Sequence, residues 1–318
     1  MESQLITLRA AELEKDFGQL AAWFGLLEEA PLSEPELKDY YLRRQAVITA
    51  RVAEGARGSL LGFSWLNVSR PALCPFDLLV RPESRGQGVG RHLFADLLSA
   101  AQHAGAARLR TNVADSDPAS REFLERRGFN ERWHFIPMRL DLDSFDDRPY
   151  DALIARLKEQ GFVFTSMEAL GDSEDAQRRL FDLNLSTDLD VPGRQGEPSW
   201  DSFEDFRERV CRTDWYRPGG QMVVIDSTTG EWAAMSAITR FGDHAYNLHT
   251  GVDRKYRGRK LAQAVKVHAL RYARDFLDVH IVLTHHNTTN APIMAIDRKF
   301  GYQALPGTFV MEKTLITE

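Results

Sequence analysis

Cysteine is nearly missing from this 318-residue chain: Cys74 and Cys211 lie far apart with no paired spacing. A disulfide framework and a cysteine-rich metal motif are thereby excluded, and a reducing compartment suits the chain. No apolar run approaches the roughly 18 residues of a membrane span, and no basic-then-apolar leader opens the sequence. The expected location is the cytoplasm, with no membrane partner. Excess positive charge is absent too. A formal charge of −6 with 43% hydrophobic residues describes an ordinary enzyme-like protein. No nucleic-acid partner is expected, because such a surface needs a basic face. The Gly-Lys-Ser/Thr ending of a phosphate loop does not occur, which removes nucleotide hydrolysis by that device. Five histidines, His244, His249, His280, His285 and His286, crowd one stretch. Strand alternation sends His285 and His286 to opposite faces, so no shared metal ion is expected.

What the sequence does hold is one part built twice. Val80-Arg-Pro-Glu-Ser-Arg85-Gly86-Gln87-Gly88-Val89-Gly90 returns 172 positions later as Val252-Asp-Arg-Lys-Tyr-Arg257-Gly258-Arg259-Lys260-Leu261-Ala262. Each loop follows a strand and opens an amphipathic helix, with Val89, Leu93, Phe94, Leu97 and Ala101 in phase in one copy and Leu261, Val265, Ala269, Tyr272 and Phe276 in the other. Downstream, Gly128-Phe129 returns as Gly301-Tyr302 at an offset of 173. The opening strands, Leu5–Leu8 and Phe162–Thr165, are offset by only 157, so the second copy carries about fifteen extra residues, assigned to Thr187–Trp200. Two domains fit the length, and the boundary is expected at 143/144. Helices are predicted over Ala11–Leu27, Glu34–Arg44 (capped by Ser33), Pro118–Arg127 (capped by Asp117), Asp151–Gln160 and Ser202–Arg212. Strands at Arg132–Leu140 and near 302–313 are read as closing copies one and two respectively.

The loop chemistry points to an anion. A turn that aims several backbone N–H groups and a helix start at one point suits a diphosphate. Gly86, Gly88 and Gly90 let the backbone come close, and Arg85 adds charge-assisted hydrogen bonds. The dinucleotide fingerprint does not fit, since the third glycine follows the second by two residues rather than three.

Arg85-Gly-Gln-Gly88-Val-Gly90 after a strand ending in Val80, with Phe123-Leu-Glu-Arg-Arg-Gly128-Phe129 downstream, resembles the GNAT superfamily of acyl-CoA-dependent N-acetyltransferases. The second copy resembles the mycothiol synthase-like group of tandem GNAT proteins through Asp190-Val-Pro192, Thr250-Gly-Val252, Tyr256-Arg-Gly258 and Asn290-Ala-Pro-Ile-Met294. The resemblance implies an α/β (α+β) fold of two GNAT-like domains, each a mixed, mainly antiparallel sheet flanked by helices. The two would pack as a pseudo-dimer within a monomer. It implies acetyl-CoA as co-substrate. Backbone amides of Gln87, Gly88, Val89 and Gly90, and of Arg259, Lys260, Leu261 and Ala262, would receive the diphosphate, in turns shared with Arg85, Gly86, Arg257 and Gly258. Pantetheine would lie along Leu79-Val80 and Gly251-Val252, with Asn290 touching it or serving simply as a helix cap. Lys260 stands where the first loop has a glycine; it either donates its backbone N–H or marks a fossil site.

The implied reaction is direct attack of a small-molecule or peptidyl amine on the thioester. Many GNAT enzymes place a tyrosine seven residues into the last short helix, but here that count reaches Leu124 in one copy and Asp297 in the other. Water, another residue, or loss of catalysis in a copy are the alternatives. His249, at the end of the strand entering the second loop, and Asp190, in the insertion, are the candidate catalytic residues. The rival reading is a non-catalytic acyl-CoA-binding or sensing protein.

Overall fold

A computed structural model describes residues 6–26, 32–192 and 198–315. Leu5 and Leu27, ends of expected elements, and positions 193–197 of the insertion lie outside the described residues. The first half runs β1 Thr7–Ala10, α1 Leu13–Phe24, α2 Glu34–Arg44, β2 Ile48–Glu54, β3 Leu60–Asn67, β4 Cys74–Val80, α3 Val89–His103, β5 Arg108–Ala114 and α4 Pro118–Glu125. There follow β6 Asn130–Asp141, α5 Asp151–Glu159, β7 Phe162–Ser166, α6 Glu174–Asp188, α7 Phe203–Phe206, β8 Gln221–Asp226, β9 Trp232–Phe241 and β10 His244–Val252. The chain ends with α8 Leu261–Phe276, β11 Ile281–Asn287, α9 Ala291–Phe300, β12 Gln303–Ala304 and β13 Thr308–Thr314.

Local chemistry explains several helix boundaries. Ser33 and Glu36 close a capping box, with the Ser33 N–H donating to Glu36 at 2.8 Å. Asp117 accepts from the Ser120 N–H at 3.0 Å, and Pro118 opens α4 where no backbone donor is needed. The single helix expected over Ser202–Arg212 is instead α7 followed by a π-helical turn at Arg207–Cys211.

The chain divides into two compact units, residues 1–132 with 308–318, and residues 133–307. This differs from the cut expected at 143/144, because the closing strands change places. In the first unit the strand order is β1-β2-β3-β4-β5-β13. The strand beside β5 is thus the last of the second copy, in register from Thr308 opposite Ala114 to Thr314 opposite Arg108. In the second unit the order is β7-β8-β9-β10-β11-β6, with β12 also on β6. Its sixth strand is the one sequence reading gives to copy one.

Both sheets are mainly antiparallel, and among the described residues each holds a parallel step: β4 beside β5, and β10 beside β11. In the first unit α1 and α2 bury Phe17, Leu20, Trp23 and Leu37 against Phe63 and Trp65, while α3 and α4 bury Phe94, Leu97 and Leu124 with Leu109 and Val113. In the second, α5, α8 and α9 share one core with Met138, Ile238 and Val282. There α6 and α7 form another with Val223 and Met235. No described helix is long and apolar enough to cross a membrane.

Candidate active site

Each parallel step opens a wedge. The β4–β5 ladder holds at Cys74–Leu109 and Pro75–Arg110, and the β10–β11 ladder at Ala245–Val282 and Tyr246–Leu283. Beyond these pairs the ladders stop, and β4 and β10 run on to Val80 and Val252 with partners only on their other edges, at Gly62 and Ala234. Leu79 and Val80, and Gly251 and Val252, therefore stand beside the gaps at the ends of their strands.

The two loops share a backbone. After each strand comes a short 3-10 turn, then an extended arginine whose Nε donates back to the last strand carbonyl: Arg85 to Val80 at 3.2 Å, Arg257 to Val252 at 3.1 Å. Gly86 and Gly258 follow at φ 76° and 80°. Two residues later Gly88 lies at φ 89° and Lys260 at φ 66°, each immediately before the helix. Left-handed backbone is natural for glycine and strained for lysine, so the second loop keeps the turn at a conformational cost. Neither helix start carries a side-chain cap. The amides of Val89, Gly90 and Arg91, and of Leu261, Ala262 and Gln263, have no carbonyl one turn earlier within their helices. That cradle of donors fits a diphosphate.

In the second unit a cavity of about 340 Å³ occupies the wedge, lined by residues that include Asp188, His249, His285, His286, Asn287 and Asn290. Asn290 is the residue before α9, yet its side chain makes no cap bond, while its N–H donates to the Asn287 carbonyl at 2.8 Å. His249 Nε2 lies 2.9 Å from the Thr187 hydroxyl, which is itself 2.8 Å from the Leu183 carbonyl one turn back along α6. Thr187 and His249 thus share a hydrogen bond whose direction follows the imidazole tautomer. Thr187 and Asp188 begin the stretch assigned to the insertion but form the buried end of α6. Asp188 accepts from the Ser199 N–H at 2.9 Å, closing the loop's two ends.

Asp190 is not among the cavity-lining residues. Arg254 donates to it at 2.8 and 3.0 Å, and Arg257 also pairs with it. Hydrogen bonds from Arg254, and then from Arg257, hold its carboxyl down at about 2. A carboxylate so paired is a weak base at neutral pH; in this geometry Asp190 braces the two loop arginines, Arg254 and Arg257.

Sequence reasoning missed a buried polar cluster behind the cavity. His286 Nε2 lies 2.6 Å from Asp297 Oδ2, and the other carboxylate oxygen pairs with the Lys266 ammonium, both residues being fully buried. The ammonium also lies 4.9 Å from the Tyr302 ring centre. Burial pushes the Asp297 carboxyl up, but Lys266 and His286 outweigh it and the net shift is downward; burial lowers Lys266 against the pull of Asp297. On the opposite face of β11, His285 pairs with the Tyr246 hydroxyl. Among the described residues no three His, Cys, Asp or Glu side chains are grouped as metal ligands.

Three comparisons set this geometry among known proteins. Residues 16–129 match the Acetyltransferase (GNAT) family and residues 152–281 the Acetyltransferase (GNAT) domain. The glucosamine 6-phosphate N-acetyltransferase of Trypanosoma brucei brucei is 31% identical over 147 residues, 43% of this chain and 96% of that protein. The chain belongs to the GNAT acetyltransferase family. A mycothiol acetyltransferase from Stackebrandtia nassauensis is 26% identical over 223 residues, covering 69% of this GNAT chain and 68% of its own. A tandem GNAT protein from the clavulanic acid biosynthesis pathway superposes with a TM-score of 0.62 at 19% identity, over 99% of this chain and 100% of the other, which establishes the tandem GNAT fold.

Proposed function

We propose that this GNAT protein is an acetyl-CoA-dependent N-acetyltransferase that acetylates a primary amine of a small molecule or peptide by direct attack. The observation that carries this reading is the pair of uncapped helix starts behind left-handed turns, each at the mouth of a wedge between two parallel strands. The names of the two sequence relatives, one an N-acetyltransferase, support acetyl transfer.

Bound acetyl-CoA supplies an acetyl group activated as a thioester. Amides of Gln87 to Gly90, and of Arg259 to Ala262, hold the diphosphate, with Arg85 and Arg257 ordering the turns. Backbone N–H groups of the strand ends near Val80 and Val252 steady charge on the thioester oxygen. Holding donor and acceptor together supplies several kcal/mol of the acceleration, on the order of 7 or more for well-aligned reactants. His249 and Asn290 line the second unit's cavity, where the amine and the pantetheine arm would meet.

Amine libraries incubated with acetyl-CoA are expected to yield products one acetyl group heavier by mass spectrometry. Gly88→Glu and Gly258→Glu each place bulk and negative charge beside a diphosphate, and at least one should weaken coenzyme A binding in calorimetry. An absence of acetylation across a broad library, or unchanged binding in both variants, sinks the reading.

A further inference from the structure

The duplication supplies an internal control for the buried cluster. Lys266 on α8 stands 172 positions after Phe94, while His286 on β11 and Asp297 on α9 stand 173 after Val113 and Leu124, the offsets that align the loops and the Gly-aromatic pairs. Phe94, Val113 and Leu124 meet in one apolar core of the first unit. The same fold is thus built with three hydrocarbon side chains where the second unit places an ammonium, an imidazole and a carboxylate. Burying an ion pair in place of well-packed apolar groups gives no stability on balance. Nothing in the architecture calls for the substitution. The three polar groups also point somewhere: Lys266 fixes Asp297, Asp297 fixes His286, and His286 lines the cavity with only 10% of its side chain exposed.

We propose that His286 is the acid/base group of the second unit, with Asp297 and Lys266 as positioning residues that set its tautomer and charge. The inference rests on the acetyl-transfer reading above. An ionised Asp297 accepts from His286 Nε2–H, which leaves Nδ1 as the basic atom of the neutral ring. Nδ1 takes one proton from the amine nitrogen as the C–N bond forms and gives it to the sulfur as the C–S bond breaks, so amine and thioester become amide and thiol with no net proton uptake. Asp297 stabilises the imidazolium between those two events, and Lys266 limits that stabilisation so the proton is released. The titratable groups around the ring are Asp297 from α9, Lys266 from α8 beyond it, His249 from β10 and Asp188 from α6 across the cavity, and His285 on its own strand; β6 sets Ile136 opposite it.

The decisive variant installs the first copy's own residues, Lys266→Phe/His286→Val/Asp297→Leu. It is expected to melt at or above the wild-type temperature and to bind coenzyme A, while kcat falls about 100-fold or more with KM little changed. Retained turnover overturns the inference. Should the triple variant not fold, His286→Gln is judged by the same turnover criterion. Lys266→Met is expected to raise the pH of the acidic limb of kcat/KM by about one unit or more, because the Asp297 charge then acts on the imidazolium alone; an unmoved limb overturns the positioning role. In long-range proton–nitrogen spectra of histidine-labelled protein, His286 should carry its proton on Nε2, and the Nδ1–H tautomer counts against the proposal. A limb that vanishes in His249→Gln and persists in His286→Gln assigns the proton to His249 instead. Wild-type protein that binds coenzyme A yet releases no thiol with any amine defeats the acetyl-transfer reading and this inference with it, whereas wild-type turnover left intact by His286→Gln defeats the inference alone.

Discussion

His268 shows how one side chain on α8 couples burial to pH. Its ring stacks on Phe164 with centroids 4.8 Å apart, and its buried Nε2 has no hydrogen-bond partner among the described residues. Burial, helped by the charges of Arg271 and Lys158, depresses its titration from 6.5 to about 4. The unfolded chain therefore binds the proton first as pH falls, so stability is full above about 6.5 and declines on the way down to about 4, by on the order of 3 kcal/mol from this group. Urea titrations of His268→Phe should show a smaller loss over that window than wild type, and parallel losses would count against this account. The same scale separates what sequence can and cannot reveal about the site. Arg85, Gly86 and Gly88 were legible because a repeated turn needs those residue types, and Lys260 because it broke the repeat. Asp190 was legible as a charge but not as a partner, since Arg254 and Arg257 reach it only once α6 folds against the second loop. The Lys266–Asp297 pair was hidden because the two residues lie on different helices and meet only in the folded core.

At the scale of elements, the end of α6 and β10 fit together through an absent side chain. A Cβ built on Gly251 would lie 2.4 Å from the Thr187 Oγ1 and 2.8 Å from His249 Nε2. The last turn of α6 therefore seats against β10 where the strand offers only hydrogen, and that seat lets Thr187 reach His249 at 2.9 Å. Gly251→Ala should destabilise the protein by about 1–3 kcal/mol, the usual penalty for overpacking. Adding Thr187→Ala should restore part of the loss, since the two residues are in contact and their effects are not additive. Urea denaturation of the four-member cycle checks this; strictly additive losses would mean that the helix end can shift aside without strain. Most element positions were readable from the chain, because apolar periodicity and caps at Ser33 and Asp117 are local signals. The bend of Arg207–Cys211 into a π-helical turn was not, since the amphipathic pattern across it is still helical.

On the scale of the whole chain, the exchange of closing strands sets which part depends on which. β13 is read from sequence as the natural end of copy two, yet its partner is β5, with Arg110 Nε donating to Glu312 at 2.6 Å across 202 residues of chain. Nothing local encodes that choice. The β-branched and aromatic residues that make 308–314 a strand say nothing of which edge it joins, and register is fixed only by the faces it buries. Met311 goes into the core beneath α3 and α4 with Phe94, Leu97 and Leu109, so this strand completes the first unit's interior. A chain ending at residue 307 keeps every residue of the second unit and leaves β5 with an open edge and a hole where Met311 sat. Filling such a position contributes about 2–5 kcal/mol for a buried methionine alone, before the loss of the strand's ladder. Truncation at the C-terminal end is therefore expected to unfold the N-terminal unit: hydrogen exchange should lose protection in α3, β4 and β5 while β8 to β11 keep theirs. Protection lost only between residues 133 and 307 would mean that the closing strand belongs with its own copy, and the exchange would have to be abandoned.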